Sequence, residues 1–333
     1  MTKVSARRLG RSGIKVSALG LGTWPMGGPT WSGDQPLGWG RVDDSESIRA
    51  IHRALDLGVN FFDTADVYGA GHSERILAQA LDGSREQAVI ATKFGNTFDE
   101  NRHQTGTNVS PEYIRRACEA SLRRLNTDYI DLYLLHVWSL SKEEAAPVRE
   151  MLEELKNNDI IKAYGWSTDL MECAQFFAEK PGCTAVENEL NVLVDAKDML
   201  ELCERFDLSS INRTPLAMGL LTGKYKSGSH LPSDDVRGKE PEWMKYFKGG
   251  EPSPKWLKKL EAVRQILTSD GRTLAQGALA WIWARSERTI PIPGFKTVKQ
   301  VEENIAAIEF GPLTADQMHE IDEVLGERSP KFR

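Results

Sequence analysis

Asp63, Tyr68, Lys93 and His136 stand in three short stretches, NFFDTADVYG (60–69), AVIATKFG (88–95) and YIDLYLLHVW (129–138). In each stretch an apolar, β-branched or aromatic run breaks off at a polar residue. A phenol beside an ammonium, a carboxylate and an imidazole can hold and move a proton without a metal. Tyrosine ionises near 10 in model peptides, too high for an efficient base at neutral pH. A lysine within about 4–6 Å favours the phenolate and should lower that value. Asp63 would hold Lys93 in place and keep it charged. Tyr68 would then donate its proton to a developing alkoxide, or remove it in reverse. His136 would hydrogen-bond the substrate oxygen and set the plane of the carbonyl. None of these side chains is a hydride source, so an organic cofactor has to supply one. The chemistry implied is reversible carbonyl reduction. Singly, a strand-end Asp caps a turn, a Lys is solvated and a His sits satisfied in a core; only convergence makes them a site.

Convergence requires strand ends that share one mouth. Strand-like and helix-like patterns alternate along nearly the whole chain. A hairpin signal comes first, RRLG and IKVS around a Ser12-Gly13 turn, followed by strand 18–22. Helix 45–57 has Ile48, Ile51, Ala54, Leu55 and Leu57 on one face. Strands follow at 60–63, 88–93, 130–136, 160–166, 184–187, 208–212 and 289–293, with helices at 73–82, 111–125, 145–157, 170–179, 195–206, 255–267 and 298–308. Ser110 is the expected N-cap of the third helix, with Pro111 at its first position. Eight β-then-α units, with extra helices near 273–285 and 314–325, predict an α/β fold: a single (β/α)8 TIM barrel over residues 1–333, preceded by the hairpin. An open doubly wound sheet would usually carry G-x-G-x-x-G after its first strand; GLGTWPMGG (20–28) has the wrong spacing.

Two connections are long, one after the first strand (23–44) and one after the seventh (about 225–254). The first carries Trp24, Trp31 and Trp39; the second carries Arg237, Trp243, Tyr246 and Phe247. Both belong on the C-terminal face, where barrel enzymes build their sites, and are read as a substrate rim and lid. Trp24, Trp31, Trp138 and Trp243 are the candidate substrate contacts.

The bulk composition is that of an ordinary soluble globular protein, 40% hydrophobic and 27% charged. A formal net charge of -6 argues against electrostatic nucleic-acid binding and offers no polybasic membrane signal. No run reaches a membrane helix's roughly 18 apolar residues, and MTKVSARRLGRSG has no apolar core of a secretory signal. Cys118, Cys173, Cys183 and Cys203 show no C-x-x-C spacing and are read as free thiols in a reducing compartment, with no metal site. A cytoplasmic location is expected.

Taken together, the motifs resemble the aldo-keto reductase family over essentially the whole chain. DTADVYGAGHSE (63–74) and LRRLNTDYIDLYLLH (122–136) are similar to two family signatures. PLAMGLLTGKY (215–225) and IPIPGFKTVKQVEEN (290–304) are similar to its cofactor-binding stretches. The bacterial subgroup of inositol-utilisation-type oxidoreductases looks most alike. The resemblance implies Asp63, Tyr68, Lys93 and His136 as the catalytic tetrad, and NADP(H) lying across the strand ends, with NAD(H) as the alternative. It places Gly22, Thr23 and Ser167 beside the nicotinamide half, and Leu216, Gly219, Leu221, Gly223 and Lys224 along the pyrophosphate. Lys296, Thr297 and Gln300 would meet the 2'-phosphate, and Glu303 and Asn304 the adenine. A helix N-terminus opening near Thr297 would suit that phosphate on physical grounds alone.

Three of the cofactor positions depart from the family pattern. Thr168 stands for the usual Asn, Glu187 for a Gln that touches the nicotinamide amide, and Arg213 for an aromatic that stacks on the ring. A planar guanidinium can stack, but it repels the oxidised ring, so Arg213 would favour NADPH unless Glu187 neutralises it. The expected activity is NADPH-dependent reduction of a small aldehyde or ketone, sugar-like, polyol-derived or cyclic. The alternatives are oxidation of a polyol or cyclitol hydroxyl, and a redox-sensing partner-binding role such as that of potassium-channel β subunits.

Overall fold

In the computed structural model, which describes residues 6–239 and 241–326, eight parallel strands form one sheet in the order in which they occur along the chain. They are β1 (Leu21–Gly22), β2 (Phe61–Asp63), β3 (Val89–Phe94), β4 (Ile130–Leu135), β5 (Ile161–Ser167), β6 (Cys183–Glu189), β7 (Ser209–Arg213) and β8 (Thr289–Pro291). The edges meet: Gly20 N donates to Pro291 O (3.0 Å) and Gly22 N to Pro293 O (3.1 Å). A side chain at position 22 would spoil this seam, because a Cβ there would lie 2.8 Å from Ile292 O. The predicted barrel is therefore present, nearly closed, with β1 shorter than expected. Residues 1–5, the start of the segment read for a secretory signal, lie outside the described residues.

The hairpin pairs Ala6–Arg8 with Lys15–Ser17 and plugs the lower end. Its Leu9 and Val16 join Phe61, Val89, Ala91, Leu132, Leu134, Ala163, Ala185, Ile211 and Ile290 in one buried cluster that fills the barrel. Side chains two apart on a strand share a face, so five rows of this cluster continue upward into a polar residue: Phe61 to Asp63, Ala91 to Lys93, Leu134 to His136, Ala185 to Glu187, Ile211 to Arg213. Local sequence thus stacks an apolar floor beneath a polar layer at the mouth.

Helices α1 (Asp44–Asp56), α2 (His72–Ala80), α3 (Pro111–Leu125), α4 (Lys142–Asn157), α5 (Met171–Ala178) and α6 (Lys197–Phe206) follow the first six strands. Ser110 caps α3 as expected, and Ser141 caps α4 in a reciprocal capping box with Glu144. The seventh unit differs from expectation. Here α8 (Leu274–Arg285), read as an extra helix, packs on β8 and between its neighbours, whereas α7 (Pro254–Leu267) lies outside it against α10 (Ala315–Leu325). The reason is apolarity: Leu274 to Trp283 are buried on every side, as befits a helix sandwiched between barrel and outer layer. Helix α9 (Val298–Phe310) completes the ring beside α1. All four cysteines are buried and unpaired.

Candidate active site

Asp63 ends β2, Lys93 is the penultimate residue of β3, and His136 follows β4, so three adjacent strands deliver them to one point. Tyr68 arrives on the turn after β2, where Tyr68 N bonds Ala65 O. Lys93 is fully buried. Its Nζ donates to Asp63 Oδ1 (2.5 Å) and Thr64 O (2.9 Å), and more distantly to Tyr68 Oη (3.5 Å). The Tyr68 and His136 rings meet edge to face at 6.0 Å, and Trp24 stacks on the other side of Tyr68.

The electrostatics differ from expectation in one respect. Lys93 does favour the phenolate, but burial, together with Asp63 and Glu187, outweighs it and pushes Tyr68 above its ordinary value. A phenol that keeps its proton suits donation. Burial would lower Lys93, yet Asp63 and Glu187 more than offset this and hold the ammonium charged. Burial, seconded by Lys93, pushes His136 down to about 3, so its imidazole is neutral at working pH. His136 Nδ1 has no hydrogen-bond partner among the described residues.

The departures from the family pattern fall into place differently. Glu187 Oε2 lies 3.3 Å from Lys93 Nζ, and Ser167 Oγ donates to Glu187 Oε1 (3.1 Å). Arg213 is neutralised not by Glu187 but by Asp169 Oδ2, and its guanidinium lies 5.8 Å from the Trp138 ring. Thr168 donates to Trp138 O (2.9 Å).

Above this layer opens a cavity of about 1010 Å³. Gly22, Ser167, Glu187, Arg213, Leu216, Gly219, Lys224, Lys296 and Gln300 line it, as do Trp24, Trp138 and Trp243. Other expected contacts are not among the lining residues. Thr23 donates to Asp63 O, Leu221 is in the core, Gly223 caps a 3-10 turn and Thr297 caps α9. Asn304 is buried on α9, and Glu303 O accepts from Gln276. Trp31 does not join the cavity lining; it pairs with His103 across two surface ribbons.

Several residues of the site were not foreseen. Asn96 donates to His136 O (2.8 Å) from a ribbon, Asn96–Phe98 with Gln104–Thr107, that forms a wall of the cavity. Asp169, two residues past β5, also receives Glu189 N. The two long loops are joined: Val236 N donates to Gly38 O (2.8 Å), and Arg237 is buried over Trp39. Arg237 also binds both oxygens of Asp235 and donates to Met218 O. Glu187 was expected only as a cofactor contact; strand periodicity could have set it in the same polar layer as Lys93, since AVENE alternates as the other strand ends do, whereas the ribbon and the joined loops have no such signal.

A dinucleotide fits this cleft. Lys224 and Lys296 face it with no carboxylate within ion-pair distance among the described residues. Lys296 Nζ instead donates to the carbonyls of Trp39 and Arg41, contacts a phosphate could replace. The α9 N-terminus is less open than expected, because Val298 N is taken by Glu46 Oε1 (2.9 Å).

A nearly closed barrel with Asp, Tyr, Lys and His gathered at the C-terminal mouth defines a class of oxidoreductase, and the comparisons agree. Residues 18–326 match the model of the Aldo/keto reductase family, and the chain belongs to that family. It is similar to the aldo-keto reductase YhdN of Bacillus subtilis, 30% identical over 94% of this chain and 91% of that one. The aldo-keto reductase yakc [NADP(+)] of Schizosaccharomyces pombe is 28% identical, over 98% and 95%. Among solved structures, the glycerol dehydrogenase AKR11B4 of Gluconobacter oxydans superposes with a TM-score of 0.81 at 29% identity, over 100% of both chains.

Proposed function

We propose that this protein is an NADPH-dependent reductase of small aldehydes or ketones, with Tyr68 as the proton donor. The observation that carries the reading is the chain from buried Asp63 and Lys93 to half-buried Tyr68, beside a neutral His136 at the floor of a cleft with aromatic walls. When bound, the dinucleotide supplies hydride to the carbonyl carbon. The carbonyl oxygen then gains charge, and Tyr68 gives up its proton to that oxygen while Lys93 stabilises the phenolate left behind. His136, neutral, orients the oxygen by a hydrogen bond. Trp24, Trp138 and Trp243 exclude water and offer flat faces to an apolar or ring-bearing substrate. Ser167, Arg213, Leu216, Gly219 and Lys224 would hold the dinucleotide, and Lys296 and Gln300 its 2'-phosphate.

Burial keeps Tyr68 protonated, the form that reduction consumes, which supports the reductive reading over polyol oxidation. The relative whose name specifies NADP(+) supports the cofactor choice. The test is NADPH consumption with a panel of aldehydes and ketones, on wild type and Tyr68→Phe. Loss of about 10²–10⁴-fold in the variant, with NADPH binding kept, is expected. An inert wild type, or a Tyr68→Phe protein as fast as wild type, would overturn the reading.

A further inference from the structure

We propose that Glu187 is a second counter-ion of Lys93, able to stand in for Asp63, and therefore a positioning residue for Tyr68. The proposal rests on the reading of Tyr68 as proton donor for its catalytic arm only. Glu187 comes from β6, three strands away from β3, so its side chain reaches Lys93 across the barrel mouth and not along a sheet neighbour. Glu187 is 2% exposed, Asp63 3% and Lys93 0%. Glu187 Oε2 has no hydrogen-bond partner among the described residues and lies 3.3 Å from Lys93 Nζ.

The charge count constrains what this trio can be. Two carboxylates around one buried ammonium would leave a net negative charge out of water, which is costly. The pair therefore retains one proton and titrates as a unit. Asp63 is pushed up by burial and then by Glu187; burial opposes ionisation of Glu187 too, but the Lys93 ammonium outweighs it and holds Glu187 low. The other groups facing the trio are Tyr68, His136, Arg213 and the Ser167 hydroxyl, of which only Arg213 is cationic, and Asp169 holds it. Either carboxylate alone neutralises Lys93. Without both, a buried ammonium has only Thr64 O and the Tyr68 hydroxyl to face.

Two consequences follow that packing alone would not produce. First, Asp63→Asn and Glu187→Gln should be non-additive: the double variant should lose at least about tenfold more carbonyl reduction than the product of the two single losses. A double variant that does not fold, beside singles that do, reports the same coupling through stability. Second, the retained proton makes wild type lose stability as pH rises from the ordinary carboxylate range, because the unfolded chain releases that proton first. Glu187→Gln removes it. The melting temperature of Glu187→Gln minus that of wild type should become more positive by roughly 2 °C or more between about pH 5 and pH 8. Glu187→Asp, too short to reach Lys93, should behave as the double does when combined with Asp63→Asn.

Additive single losses, or a melting-temperature gap flat with pH, would overturn the proposal. An inactive wild type would overturn the proposed function instead, and the thermal measurement would still decide this one.

Discussion

Tyr68 keeps its proton and His136 refuses one for the same reason: both are set down at the floor of the barrel's mouth, largely out of solvent. Burial raises the phenol and lowers the imidazole, and charge partners only modulate this. Asp63, Lys93 and His136 were legible because each ends an apolar run, and a polar residue at a strand's end needs a reason to be there; Tyr68 was legible only as the phenol in the turn that follows Asp63. The sign of the Tyr68 shift was not legible, since it is set by how deeply the folded barrel buries the phenol, with Asp63 and Glu187 adding to burial against Lys93. A pH prediction separates the two groups. With His136 held down to about 3, no limb of the reduction rate should fall near the ordinary imidazole value of about 6.5. Initial rates across the neutral range check this, with nuclear resonance of the His136 ring as a direct readout. An imidazole that titrates near 6.5 would contradict the geometry. Stability follows the same sign: the unfolded chain takes up the proton first, so the contribution of His136 is present above about 6.5 and is lost as pH falls towards 3.

At the scale of elements, periodicity recovered the strands and most helices, but it could not rank two apolar helices by depth. The exchange between α7 and α8 was decided by which helix buries every face, a tertiary fact. The loops were visible as long, tryptophan-bearing connections, yet their joining depends on Arg237. Its guanidinium is 6% exposed, paired with Asp235 and lodged among Trp39, Tyr225 and Phe247. The contact locks the loop after β7 to the loop after β1 above the cleft. Replacing Asp235 by Ala strands that charge in an apolar nest, which should cost about 3–5 kcal/mol within the loops. The expected result is faster release of NADPH in stopped-flow fluorescence and earlier proteolysis between residues 225 and 253, with the barrel's circular dichroism preserved. A variant with wild-type release would mean that the clasp does not restrain the cofactor.

At the scale of the whole molecule, ligand binding and folding are linked, because the cofactor's groove is made of segments from β1, β7 and β8 that only the closed barrel brings together. Anything that binds the folded chain alone raises its melting temperature with concentration. NADPH at 100 times its dissociation constant should stabilise by about 2.7 kcal/mol, and NADH by less at the same concentration if a 2'-phosphate is recognised. On the proposed reading that difference turns on Lys296: its ammonium is half-buried, held by two backbone carbonyls, and pushed down by that burial, so an incoming phosphate would restore a full counter-charge. Glu46 of α1 acts in the opposite sense, placing a carboxylate against the start of α9 where a phosphate would otherwise take Val298 N. On the proposed reading the preference is a balance between the Lys296 cation, which lines the cleft, and the Glu46 anion at the nearby start of α9. Lys296→Ala should abolish most of the extra thermal shift given by NADPH while leaving that of NADH in place. Glu46→Gln should enlarge it. If both variants leave the NADPH and NADH shifts unchanged, the 2'-phosphate is bound elsewhere in the cleft, and Lys224 becomes the residue to substitute next.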